Sequence, residues 1–404
     1  MKLWKPSRCI LATCLFACAS LVSGFDGDIS INNPNFKPEN FLDLKAYEFS
    51  KSLDQQWYGS ENGWRMTGGS VDIDRLFLDG QLKLKHQLSD KVDFRLNTEQ
   101  RVFYAPKPVP HTMLEIDFHP WNPDISFSFL SNTAHDKRQV DIGGAIRVGQ
   151  TPWHYLRLSW LDVDAFYNAK NSFDNSYYAK KPHTLRFEGA LSYKQWQTRF
   201  HWEQYQPLKL VLPDESSTFQ HRGSNYELSL EYHFGKHSWA GIALRSFEIK
   251  KQLEEIIENQ KQKLSYSSVD IYWLQPWTSR QYELSTGIRF DIFDNKLRDI
   301  TMPGDHFDYR FSTWQVYATL AHDYSAHAAW DFGVYIGDTY EDKDFLAGVA
   351  GDRTDRSIQG KLRTSWGYHS VDKQHTLKLH LTFNLDDLWN DPGDGAGMTY
   401  QGMF

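Results

Sequence analysis

The chain has 404 residues, a formal net charge of −7, and 26 Phe, 21 Tyr and 15 Trp. Its pI is about 6.1 and its mean hydropathy −0.59. Beyond the N-terminus no apolar run approaches the roughly 20 residues of a membrane helix, which excludes a polytopic helical membrane protein; the aromatic share excludes disorder, and the acidic balance excludes general nucleic-acid binding.

The first segment reads as an export signal. Lys2, Lys5 and Arg8 form a charged stretch, Cys9 to Val22 an apolar one, and Val22 and Gly24 fit a cut before Phe25. Residues 1–24 are thus expected to be a signal peptide. Cys9, Cys14 and Cys18 all lie in it, so the mature chain would have no cysteine and no disulfide. A lipobox ending at Cys18 is the alternative. Residues 25–40 are read as a periplasmic or plugging segment, and 41–404 as one domain.

From residue 41 onward apolar and polar residues alternate with the period of a strand. Residues 41–51 supply a first strand, with 52–70 as its loop. Leu76, Leu78, Leu82 and Leu84 then alternate with Asp79, Gln81, Lys83 and Lys85; Val92, Phe94 and Leu96 alternate with Asp93, Arg95 and Asn97. The same pattern returns in Tyr226–Phe234, Tyr282–Phe293 and Thr376–Leu385. Short links near 89–91, 119–124, 150–153, 194–196, 235–237, 278–281, 323–327 and 370–374 take turns with long ones near 105–111, 132–139, 167–182, 208–225, 251–263, 294–310 and 341–356. Residues 251–263 suit either a helical insertion or an extension of two strands. Residues 398–404 supply a last strand after a loop at 386–397. The count is about 18 strands, with 16 as the alternative.

The chain ends in Phe404 on an alternating strand, with Tyr400 four residues earlier. With the export signal, the missing cysteines and the short-then-long connections, this resembles the outer-membrane β-barrel proteins of Gram-negative bacteria, in the porin-like class. The resemblance implies an all-β transmembrane antiparallel barrel, short periplasmic turns and long extracellular loops. It also implies residence in the outer membrane after export, contact with outer-membrane lipid and lipopolysaccharide, and handling by the barrel assembly machinery through Tyr400 and Phe404.

In such a barrel the apolar set faces lipid, and Trp121, Trp153, Trp196, Trp239, Trp277, Trp366 and Tyr368 fall where interfacial girdles belong. The polar set faces the lumen. Its basic members include Lys83, Arg95, Arg101, Arg245, Arg289, Lys361, Arg363 and Lys378, and its acidic members Glu227, Glu231 and Glu283. Phe77, Phe103, Tyr272, Tyr317 and Tyr335 fall on the same register. Chain order places Arg95, Arg101, Lys361, Arg363 and Lys378 on one basic wall opposite the three glutamates. The leading expectation is a channel for polar solutes, carbohydrate in particular, by oligosaccharide uptake or by exopolysaccharide export with a periplasmic partner. A filled barrel acting as receptor, anchor or secretion scaffold is the second reading, and an enzyme at the rim the third. No Cys/His cluster, phosphate loop or nucleophile elbow is present, so no cofactor, metal or catalytic residue is expected. His322 and His327 lie at a turn, and the Asp-rich stretches 294–299, 352–355 and 390–394 read as solvated loops.

Overall fold

The computed structural model describes residues 48, 50–71, 75–101, 112–121, 124–132, 140–166, 177–180, 183–211, 218–235, 238–254, 259–277, 281–299, 307–345, 353–389 and 392–404. The assignments made above to 1–24 and 25–40 lie outside them. Helix α1 (Lys51–Gly59) precedes β1 (Gly63–Val71), β2 (Arg75–Ser89), β3 (Val92–Arg101), β4 (Thr112–Phe118), β5 (Ile125–Asn132), β6 (Ile142–Thr151) and β7 (His154–Asp162). Then come β8 (Tyr177–Lys180), β9 (His183–Tyr193), β10 (Trp196–Val211), β11 (Thr218–His233), β12 (Trp239–Glu254) and β13 (Asn259–Trp277). The chain finishes with β14 (Tyr282–Asp299), β15 (Phe307–Asp323), β16 (Ala328–Phe345), β17 (Arg353–His369), β18 (His375–Asn384) and β19 (Gly393–Met403).

Apart from β8, which pairs with β10, each strand pairs antiparallel with the next in chain order, β7 with β9, and β1 pairs with both β2 and β19. That last ladder, from Gly63 opposite Met403 to Gly69 opposite Gly397, closes the sheet. Strands β8 and β9 follow one another along the same edge of β10, so they form one interrupted stave. The result is a closed barrel of 18 antiparallel strands. Closure matters because an open edge would present unpaired N–H and C=O groups.

Most of the strand expected at 41–51 lies outside the described residues; the first described strand is Gly63–Val71, and the stretch expected as loop 52–70 holds most of α1 and nearly all of β1. The short links fall where the alternation placed them. Two-residue hairpins at Asp90-Lys91 and Lys194-Gln195 show why: Lys194 adopts φ 55°, the left-handed backbone that so tight a turn needs. Four of the long links are mostly strand. Strands β12 and β13 pair out to Glu254 opposite Asn259, so 251–263 is an extended hairpin without a helical insertion. Likewise Asp294 lies inside β14, bonded to Arg310, not in a solvated loop. Strands β10 to β17 therefore run to 16–19 residues, against 7–10 for β3 to β7. A tilted strand of about 9–11 residues crosses a bilayer, so the longer set rises well beyond it.

The two faces separate by register. Ile271, Ile288 and Val316, direct cross-strand neighbours, are 50%, 43% and 45% exposed and point outward. Beside them Asp270, Arg289 and Gln315 are buried on the inner face. Trp121, Trp196, Trp277, Trp366 and Tyr368 are exposed beside short turns, as girdle residues should be. Trp153 and Trp239 are not part of that girdle. Trp239 is buried in an inner cluster with Tyr272 and Leu274, and Trp153 packs against Gly59 of α1. Tyr400 points outward beside Trp64, ring centroids 5.3 Å apart, while its neighbour Gln401 is buried inside.

Depth along the outer face should govern tolerance to charge. Ile288→Arg, mid-belt, should cost about 2–4 kcal/mol of barrel stability, whereas Leu379→Arg, opposite Trp366 near the short-turn interface, should cost about 0–1 kcal/mol. Urea titrations in bilayers read both values; equal costs would contradict the assigned depth.

Candidate functional site

The inner wall is a lattice of ion pairs, some within one strand and others reaching across one to three strands. Arg157 on β7 reaches Glu115 on β4 at 2.7 Å and Glu188 on β9 at 3.0 Å. Arg186 meets Glu203 directly opposite at 2.6 Å, and Arg95 meets Asp117 at 2.7 Å. On the other side Arg289 holds Asp291 at 2.9 Å, Arg363 and Lys378 share Asp331 at 3.0 and 2.7 Å, and Lys361 holds Asp394 at 2.6 Å. Such buried charges are tolerable because each has an opposite charge within ion-pair distance.

This geometry replaces the two opposed walls of unlike charge. Arg95, Lys361, Arg363 and Lys378 each face a carboxylate one or two strands away, and Glu231 accepts from Arg199 at 3.3 Å. The reason is register: strand neighbours lie closer than any opposite wall, so charge is neutralised locally. Glu227 sits on the inner register of β11, opposite Arg245. Arg101 and Phe77 lie in strands whose side chains there are outside the described residues, as is all of Phe103.

The aromatic candidates turn inward but do not line open space. Tyr272, Tyr317 and Tyr335 are 3%, 4% and 2% exposed in a cluster with Trp239 and Leu274. Tyr272 donates to Glu231 at 2.5 Å and Tyr317 to Asp270 at 2.9 Å. Tyr317 lies flat over Gly287 on the neighbouring strand, where an added Cβ would come within 2.5 Å of the ring. The histidines at the turn are stacked: His322 on Tyr282 at 4.1 Å and His327 on Tyr368 at 5.8 Å.

Helix α1 occupies the inside of the barrel at its short-turn end. Its partners come from strands right around the circumference, which is only achievable from within. Asp54 pairs with Arg65 on β1 at 2.7 Å, Lys51 with Asp270 on β13 at 3.0 Å, and Ser52 donates to Glu283 on β14 at 3.0 Å. Gln55 donates to Glu231 on β11, and Gln401 on β19 donates to the Leu53 carbonyl at 3.0 Å. Just before the helix, Glu48 accepts from Arg289 at 2.5 Å and lies 3.7 Å from Arg245. Lys83 on β2 donates to the Trp57 carbonyl, one of the terminal carbonyls no helix satisfies internally, and its charge suits the negative end of the helix.

Two apolar residues seat the helix. Leu53 and Trp57, one turn apart, are its buried residues, and Trp57 is 1% exposed. The Trp57 ring carries the Arg65 guanidinium 4.9 Å and the Lys83 ammonium 4.5 Å from its centroid. It rests on Gly63, where a Cβ would meet it at 2.9 Å. Next to it, the Tyr58 ring holds Arg199 at 3.8 Å. Nine residues alone make a marginal helix in water, so these wall contacts are what keep α1 helical. The local signals were Ser50 at the N-cap, Asp54 in the first turn and the Leu53–Trp57 spacing. A strand pattern on either side masked them.

A closed antiparallel barrel with an outward apolar belt, aromatic girdles and a charged interior has the architecture of an outer-membrane transmembrane β-barrel. No family model matches the chain, and no curated protein matches it. Among solved structures it is similar to the outer-membrane protein OmpT of Vibrio cholerae, in vitro folded trimer form, with 10% identity over 85% of this chain and 98% of that one and a TM-score of 0.36. It is also similar to OccK10 (OpdN) of Pseudomonas aeruginosa, 10% identity over 85% and 98%, TM-score 0.39. OccAB3 of Acinetobacter baumannii gives 10% identity over 85% and 99%, TM-score 0.38.

Trp57→Ala should undock α1. Truncating a buried Trp costs about 3–5 kcal/mol in a core, more than so short a helix is expected to hold in reserve. Protease added to the folded barrel should cut between Ser50 and Asn62 at least about tenfold faster than in the wild type. Unchanged protection would mean the polar contacts hold the helix unaided.

Proposed function

We propose that the protein is an outer-membrane channel for polar solutes whose short-turn mouth is held shut by its own helix α1. The observation that carries this is α1 itself, seated inside the barrel by contacts to β1, β2, β11, β13, β14 and β19. Barrels of about 16–18 strands are wide enough to leave an aqueous lumen, so something must fill this one if it is to be closed. Most contacts of α1 are hydrogen bonds and ion pairs, which water can replace at modest cost. Leu53 and Trp57 are the fully buried apolar side chains that release would expose. Such a helix is removable in a way that a hydrophobic plug is not.

The solute class we favour is carbohydrate. Paired unlike charges around the lumen favour neither ion sign, which suits a neutral, hydrogen-bonding passenger. The packed Tyr272, Tyr317 and Tyr335 offer no ring for sugar stacking while α1 is seated; Lys51 lies 4.2 Å over Tyr272, so release of the helix bares that ring first. A filled barrel serving as receptor, anchor or scaffold is the second reading, favoured by the same seated helix and by the buried tyrosine cluster. No catalytic role is proposed.

Planar-bilayer conductance decides between these readings. The wild type should show rare, small openings, and a variant lacking residues 48–59 should conduct severalfold more, with a reversal potential near zero across a salt gradient. Liposomes holding the deletion variant should swell in disaccharide. A deletion variant that folds, by its heat-modifiable gel migration, yet neither conducts nor swells liposomes would establish the filled-barrel reading.

A further inference from the structure

The long staves carry a feature on their outer face that a channel does not require. Arg222 on β11 lies directly opposite Lys250 on β12, Lys250 opposite Lys263 on β13, and Lys263 opposite Lys296 on β14. All four share the outward register: Leu228, Ile271 and Ile288 on the same strands and parity are exposed apolar residues of the belt. The row sits just above that belt. On β14 the outward sequence passes from Phe290 and Ile292 through Asp294 to Lys296; on β13 it passes from Ile271 and Val269 through Ser267 and Ser265 to Lys263.

Like charges directly opposite across strands destabilise a sheet, and here three such pairs are consecutive. One carboxylate is interposed: Glu248 reaches Lys250 at 2.5 Å and Lys263 at 2.9 Å. Among the described residues, two other acids beside the row are engaged elsewhere. Asp308, opposite Lys296, is bonded to Arg298 at 2.5 Å, and Asp294 to Arg310 at 2.8 Å. Arg222, Lys263 and Lys296 are exposed. One step further out, Lys261 lies opposite Arg298 and adds to the same patch.

We propose that this row is a binding site for the phosphate-bearing headgroup of an outer-leaflet lipid. The position selects the ligand. A side chain that points out of the barrel, a few residues past the last apolar neighbour, stands at headgroup depth. The only anions held there at high density are those of the lipid itself. A soluble anion would find the row open to screening within about 10 Å at 0.1 M salt, whereas a lipid brings its phosphate to a fixed height and its acyl chains to the belt below. Arg222, Lys250, Lys263 and Lys296 would then straddle one or two phosphates, and Glu248 would keep Lys250 and Lys263 extended toward them.

The test uses the full-length barrel in zwitterionic detergent with bisphosphorylated lipid A as probe, and counts retained lipid by native mass spectrometry. Each lost cation should weaken binding about fivefold, so Lys250→Gln, Lys263→Gln and Lys296→Gln together should weaken it on the order of a hundredfold. The corresponding triple arginine variant should retain the lipid, as should Lys251→Gln, which lies on the inner register. Lipid A stripped of its phosphates should bind the wild type as poorly as the triple glutamine variant binds the intact lipid. Equal retention by the wild type and the triple glutamine variant, or equal retention of the stripped lipid, overturns the proposal. Displacement of the lipid by excess inorganic phosphate also overturns it and assigns the row to free anions. Should the triple variant fail to fold, Lys296→Gln alone, at an exposed side chain, must still show the fivefold loss.

Discussion

Every backbone N–H and C=O that crosses the bilayer must find its partner inside the protein, since lipid offers none. The whole molecule answers that constraint through one ladder, β1 against β19. It joins the first and last described strands and closes the sheet between them. Once the sheet is closed, the strict side-chain period of two sorts residues into an outer and an inner set. The apolar belt, the girdle tryptophans and the charged interior all follow from that sorting.

The inner set faces a second constraint. Guanidinium and carboxylate groups cannot stay unpaired where water is scarce. Register solves this strand by strand, as with Arg186 against Glu203 or Arg157 between Glu115 and Glu188. The interior therefore stiffens the wall and presents little net field. Helix α1 joins the same economy. It brings Asp54 to Arg65 and Lys51 to Asp270, and receives donors from Gln401 and Lys83. The lattice that rigidifies the barrel thus also supplies the seat for the segment that fills it.

Among the described residues, staves β10 to β17 are the long ones and rise far past the belt. Above the belt the outer face of the tall side exchanges leucine and isoleucine for lysine and arginine. Height and charge are linked: only strands that clear the hydrocarbon can carry outward cations without the depth-dependent cost of charge in lipid.

Alternation in sequences such as Tyr282–Phe293 determined strand, face and neighbour, because a period of two is local and a closed sheet repeats it. Turn residues such as those at 89–91 and 194–196 determined the short end of the barrel, because tight hairpins need particular backbone angles. Sequence alone could not say how far each stave climbs beyond the membrane, since the polar alternation of 251–263 reads as well for a loop as for a strand. Nor could it show that Trp153 and Trp239 turn inward, or that Lys361 finds Asp394 in preference to a distant glutamate. It misread 52–70 as a loop, where a helix of nine residues is too short to announce itself by period. The contacts that make Lys51–Gly59 a helix come from β1, β2, β11, β13, β14 and β19, residues distant in the chain that meet only after the barrel has closed around them.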